Sequence, residues 1–154
     1  MLDPTDIKII KCLQENSRES ASAIGKKIKL SVSAVLGRIQ RLESKGVIKH
    51  YTISLERNLI GKDVMAFISV RMEHPKCDSY LLAGVKTMPE VVECHYITGA
   101  EDYLLRIIVR STVQLTELLE KLKELQGVAT IKTMVVLSTE KDVPVYLSET
   151  EDAY

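Results

Sequence analysis

The stretch SASAIGKKIKLSVSAVLGRIQRLESKG, residues 20–46, decides the N-terminal fold. Ser20 and Ser31 each stand just before a run with helical spacing, where a hydroxyl can accept from an otherwise unpaired N–H of the first turn. The first run carries Ala23, Ile24 and Ile28. The second, from Ser31 to Lys45, repeats Val35, Ile39 and Leu42 at i, i+4 and i+7 before Gly46 ends it. Only Lys29-Leu30-Ser31 joins them, which suffices for two helices that cross steeply and predicts a helix-turn-helix. Gly25 permits the close crossing and Leu30 plugs the core.

With Val35, Ile39 and Leu42 turned inward, a helical wheel puts Ser33, Ala34, Gly37, Gln40, Arg41 and Ser44 on the outer face of this helix, with Arg38 and Lys45 on its flank. That face is small, polar and basic, as a helix laid in a DNA major groove requires. Ser33, Ala34 and Gly37 near the helix N-terminus can approach base edges, the longer cations Arg38, Arg41 and Lys45 reach phosphates, and Ser31 and Gln40 complete the DNA-binding set. Upstream, Asp3 is read as an N-cap and Pro4 as the first helical residue, with a stripe of Ile7, Ile10 and Leu13. Downstream, residues 47–53 read as a short β-segment, a minimal wing. Charge agrees: residues 1–60 hold eleven Lys/Arg against six Asp/Glu, and the remainder ten against fifteen, so a net charge of zero conceals a basic unit joined to an acidic one.

Beyond a linker at residues 55–61 the pattern is strand, helix, strand, strand, helix, strand. Residues 64–72 alternate; residues 78–88 are helical through Leu81, Val85 and Met88; residues 91–98 and 103–109 are strands about the turn Gly99-Ala100-Glu101-Asp102. Ser111-Thr112-Val113-Gln114 reads as a capping box before the stripe Leu115, Leu118, Leu119 and Leu122, and residues 128–138 supply the last strand. Met88-Pro89-Glu90-Val91 and Leu125-Gln126-Gly127-Val128 echo each other, giving a βαββαβ ferredoxin-like sandwich with an internal two-fold repeat. The fold class is α+β: an N-terminal winged helix-turn-helix plus this C-terminal sandwich.

Two helices cover one face of a four-stranded sheet, yet both strand parities are apolar: Tyr103, Leu105, Ile107 and Val109 against Leu104 and Ile108, and Ile131, Val135 and Leu137 against Met134 and Val136. The second face calls for a cover, and self-association is the expected one, with a dimer presenting two recognition helices about 34 Å apart. No apolar run reaches the roughly 18 residues that span a bilayer, and no signal core opens the sequence, so a cytoplasmic protein without membrane contact is expected. Cys12, Cys77 and Cys94 lack disulfide or zinc spacing. His74, Cys77, Cys94 and His95 do not make a metal site, because the first and second strands are not neighbours in this topology and Cys94 and His95 point to opposite faces. No nucleophile elbow or phosphate loop is present, so neither catalytic residues nor a cofactor are assigned.

The N-terminal half resembles the winged helix-turn-helix of the Lrp/AsnC family through Leu2-Asp3, Asp6, Ile10, Arg18, Leu30-Ser31, Val35, Arg38, Arg41-Leu42-Glu43, Gly46-Val47-Ile48 and Tyr51. Lys29 stands in the turn where that family commonly has glycine. The C-terminal half resembles the same family's effector domain, above all in Thr98-Gly99 through Asp102-Tyr103-Leu104-Leu105, which is similar to the signature Gly-x-x-Asp-x-x-Leu. The resemblance implies a sequence-specific transcriptional regulator of double-stranded DNA, a dimer assembling up to an octamer, and an amino-acid effector held between subunits. On matching positions it implies that Gly99 lets the backbone approach the effector and Asp102 takes the α-amino group, in a site with Thr98 and Ala100; Thr133 on the last strand is a further pocket candidate, and the alternative for residues 99–102 is an ordinary hairpin turn. The implied organisation is a DNA-binding domain at 1–50, a linker at 51–62, an effector-binding and oligomerisation domain at 63–138 and a tail at 139–154. Rival readings are an enzyme resembling the sirohaem decarboxylases and a metabolite sensor that no longer binds DNA.

Overall fold

Asp3 opens helix α1 (Pro4–Glu15) with a full capping box: its carboxylate accepts from the Asp6 N–H at 2.8 Å while Asp6 answers on the Asp3 N–H. The computed structural model describes residues 2–143 and 147. Ser20 and Ser31 cap α2 (Ala21–Ile28) and α3 (Val32–Ser44), accepting from Ala23 and Ala34. Between them Lys29 takes a left-handed conformation at φ 60°. Gly25 lets the turn fold back, since a Cβ there would sit 2.6 Å from the Leu30 carbonyl oxygen. Ile9, Ile24, Val35 and Leu42 form the buried centre, with Ile10, Leu13, Ile28, Leu30 and Ile39 packed around it.

Two expectations change here. The α1 stripe is centred on Ile9, not Ile7, because the face turned inward is Asp6, Ile9, Ile10 and Leu13, at i, i+3, i+4 and i+7, and it includes an acid. The expected wing strand at 47–53 does not form. The Val47 and Ile48 N–H groups donate to the Leu42 carbonyl as the chain leaves α3, Tyr51 donates its hydroxyl to Glu43, and no described strand of this unit offers a ladder to join.

The chain divides into a unit ending at Ser54, to which Asp142, Val143 and Leu147 return, and a unit from Leu55 to Lys141. Of the expected tail, residues 144–146 and 148–154 lie outside the described residues. The second unit opens with a short 3-10 turn (Asn58–Ile60) and contains β1 (Val64–Met72), α4 (Asp78–Lys86), β2 (Val91–Tyr96), β3 (Tyr103–Val109), α5 (Thr112–Lys123) and β4 (Val128–Val135). The antiparallel order β2-β3-β1-β4 is the expected ferredoxin-like one, so β1 and β2 are not neighbours.

Ala66, Ile68 and Val70 stand opposite Ile107, Leu105 and Tyr103, and with Leu81, Val85, Leu115, Leu118 and Leu122 they form one core under the helices. The elements are shorter than the apolar runs suggest. Helix α4 stops at Lys86, and β4 stops at Val135 because the Val136 N–H makes the last bond, to the Met65 carbonyl near the start of β1. The capping box of α5 is half formed: Ser111 accepts from Gln114, but the Gln114 side chain accepts from the Arg110 N–H instead. The other sheet face carries Phe67, Leu104, Ile108 and Met134, interrupted by Arg106, which is paired with Glu93. No described helix is long and apolar enough to cross a membrane.

Candidate nucleic-acid interface and effector turn

On α3, Ser33, Gly37 and Gln40 are exposed, and nothing lies within 4 Å of where a Gly37 Cβ would be. Ser31 is committed to its cap, and its hydroxyl lies 3.2 Å from that of Ser33. Ala34 is half-buried and Lys45 is exposed at the helix end. The two arginines, Arg41 exposed and Arg38 half-buried on the flank, are not free for phosphate. Arg38 Nη1 donates to Asp3 and, at 2.8 Å, to Asp6, while Arg41 Nη2 donates to both Asp6 oxygens at 2.9 and 2.7 Å.

Asp6 is only 2% exposed, so its carboxylate is stable in place because two guanidiniums and a helix N-terminus surround it. Beside Arg38, and with the Asp6 N–H as a second donor, the Asp3 carboxyl is held down at about 2. The same two carboxylates raise the pKa of Arg38. This clasp joins α1 to the recognition helix and ties both guanidiniums to α1, while Arg41 stays exposed and Arg38 half-buried. Val32 and Leu36, absent from the expected site, are 46% and 48% exposed on the opposite flank. Counting Val and Leu as core by default hides them.

In the second unit, Thr98, Gly99 and Ala100 are exposed in the turn between β2 and β3, and Gly99 has φ 130°, a conformation a side chain rarely tolerates. Asp102 braces this turn: its carboxylate accepts from the Met72 N–H at 2.7 Å, its own N–H donates to Val70, and its carbonyl accepts from Ile97. At least one carboxylate oxygen is therefore structural, which departs from the simple ammonium role. Glu101, which the sequence reading passed over, has one oxygen 2.6 Å from Lys132 Nζ and a second, buried oxygen without a partner. No periodicity marks such an atom.

A cleft of about 60 Å³ opens beside the turn between Met72, Pro75, Asp78, Tyr96 and Asp102. The Tyr103 ring meets Tyr96 in a tilted pair with centroids 5.2 Å apart, and burial with the neighbouring Asp78 pushes its phenol up to about 12. Thr133 is not brought to the turn within the chain. It stands opposite Ile68 on the edge strand β4, with β1 and then β3 between it and β2.

A capped helix-turn-helix unit followed by a four-stranded α+β unit places the chain among the two-domain helix-turn-helix proteins. Residues 2–43 match the AsnC-type helix-turn-helix domain and residues 65–146 the Lrp/AsnC ligand binding domain. The chain is 31% identical over 144 residues to the transcriptional regulator AzlB of Bacillus subtilis, covering 92% of each, and 34% identical to the leucine-responsive regulatory protein of Haemophilus influenzae, covering 91% of this chain and 86% of that one. Among solved structures it is similar to the regulator NMB0573 of Neisseria meningitidis in complex with L-Met, with a TM-score of 0.86 and 31% identity over 92% of this chain and 94% of that one. The chain belongs to the Lrp/AsnC family of transcriptional regulators.

Proposed function

We propose that this regulator binds its operator as a homodimer in the cytoplasm, reading the major groove with Ser33, Gly37 and Gln40 and approaching the backbone with Ser31, Ala34 and Lys45, and that it acts without catalysis. The observation that carries this reading is α3 itself: a helix with an open, small and polar outer stripe, held in place from behind by Asp6. Arg38 and Arg41 serve DNA binding chiefly by fixing that helix. Dimerisation through the sheet face of Phe67, Leu104, Ile108 and Met134 covers apolar surface and presents two recognition helices about 34 Å apart.

The effector is a small amino acid at the turn of Thr98, Gly99 and Ala100. The unpartnered oxygen of Glu101, buried in the free chain, takes the ammonium group once the ligand displaces what covers it, and Asp102 keeps the turn in shape for it. A place for Thr133 requires a contribution from a second subunit. The complex of NMB0573 with L-Met supports this class of ligand.

The test is a titration of operator DNA by the full chain at several salt concentrations, with calorimetry against the twenty amino acids. Sequence-preferring binding with a steep salt dependence is expected, and a Lys45→Ala change that removes a phosphate contact lowers the salt slope by about one unit. Glu101→Gln should abolish effector binding. Light scattering that returns the 17.3 kDa monomer at micromolar concentration, or equal affinity for all duplexes, overturns the respective parts.

A further inference from the structure

Ser33, Leu36, Gly37 and Gln40 fall at i, i+3, i+4 and i+7 on α3, the spacing with which one helix face meets successive base edges. Within this stripe Leu36 is an exposed aliphatic side chain, and Val32, one turn earlier, is exposed too. Gly37 beside it leaves the backbone bare with no atom nearby, so the stripe can sink deeply enough for Leu36 to touch the groove floor. Arginine paired with guanine is the commonest specific contact in the major groove. Both guanidiniums of α3 are instead tied to Asp3 and Asp6. What remains is a leucine, a glutamine and a serine. The apolar feature the major groove offers is the 5-methyl of thymine, and the pairing that suits a glutamine amide is adenine.

We infer that Leu36 is a specificity-determining residue that packs on thymine methyl groups, so that the operator half-site is read through A·T pairs by Leu36 and Gln40 rather than through guanine by arginine. This rests on the DNA-binding reading above. It commits the exposed flank of Leu36 to DNA and not to a second copy of the chain.

The experiment selects duplexes from a random pool with the full-length protein, then replaces each thymine of the selected half-site by deoxyuridine, which removes the methyl alone. Wild type should lose about fourfold in affinity per contacted methyl. Leu36→Ala should bind more weakly and be indifferent to the same replacement, while Gln40→Ala keeps the thymine effect. Leu36 is half exposed, so this variant keeps the fold, as circular dichroism will verify. A selected half-site dominated by G·C pairs overturns the inference, as does wild type indifferent to deoxyuridine, Leu36→Ala with undiminished discrimination, or a Leu36→Ala change that alters only the assembly state. A pool from which no sequence is enriched overturns the DNA-binding reading and this inference together.

Discussion

The two units of this chain hold themselves together differently. From Leu55 to Lys141, thirteen buried residues make one core in which strand and helix cover each other and the polar partners lie outside it. In the helix-turn-helix unit the buried centre is four residues, and beside it the chain has buried a carboxylate. A domain this small cannot remove enough apolar surface from water to be secure on that account alone. Asp6 and its two arginines supply a second tie, one that also sets the direction of α3. The comparison teaches that the residues a DNA-binding helix most obviously offers to phosphate are here part of the scaffold.

The largest expected effect lies in the sheet: Ile68→Ala, at a fully buried site on central strand β1, should destabilise the C-terminal unit by about 3–4 kcal/mol, seen as a lowered second transition in scanning calorimetry with α1–α3 unaffected. Next is Asp6→Ala, which leaves two guanidiniums without their buried partner. About 3 kcal/mol is expected, the lower end for a broken buried pair because both arginines reach water, and hydrogen exchange should quicken in α1 and α3 but not in the sheet. If α3 amides exchange as in wild type, the clasp is ornamental and the contrast between the units fails.

Two glycines sharpen the contrast further. Gly25→Ala drives a Cβ against backbone at Leu30 and should cost about 2 kcal/mol, while Gly37→Ala meets open space and should raise the thermal midpoint, worth about 1 kcal/mol, while weakening DNA binding. A variant at Gly37 that gains stability and keeps full affinity would remove this position from the interface. The smallest effect is acid sensitivity. The Asp3 carboxyl titrates at about 2 in the folded chain against an ordinary 3.8, so the stability it contributes is complete above the unfolded value and drains away as pH falls from about 4 to 2. Asp3→Asn should flatten that part of the profile in calorimetry.

Local signals were readable in the sequence. Ser20, Ser31 and Asp3 cap the helices expected of them, Val35 and Leu42 lie in the core, and the repeat around Val91 and Val128 marks the ferredoxin-like order. The clasp was not readable, because Asp6 and Arg41 lie 35 residues apart and periodicity speaks only of neighbours along the chain. Asp6 also disguises the α1 stripe, since an acid on the inner face makes Ile7 look as good as Ile9. The wing failed for a related reason: a strand is a property of two segments, and composition names only one. At the turn around Gly99 the sequence did not reveal that the Asp102 carboxylate is engaged by the Met72 N–H or that Glu101 keeps an unpartnered oxygen, because both depend on contacts with a distant strand.

Lys29 carries a consequence for how this molecule can evolve. It is the single non-glycine residue with positive φ among those described, in a conformation that costs roughly 1 kcal/mol or more and that glycine adopts freely. No described carboxylate forms an ion pair with it, and what offsets that cost among the described residues is the backbone cap, in which the Lys29 N–H closes α2 on the Gly25 carbonyl. What a lysine at the foot of the recognition helix does offer is attraction at a distance: a positive charge that steers the protein toward a polyanion and quickens encounter at low ionic strength. The turn is therefore a point where thermal robustness and speed of association pull in opposite directions, and exchange of Lys29 for glycine would move the protein along that line without touching Ser33, Gly37 or Gln40.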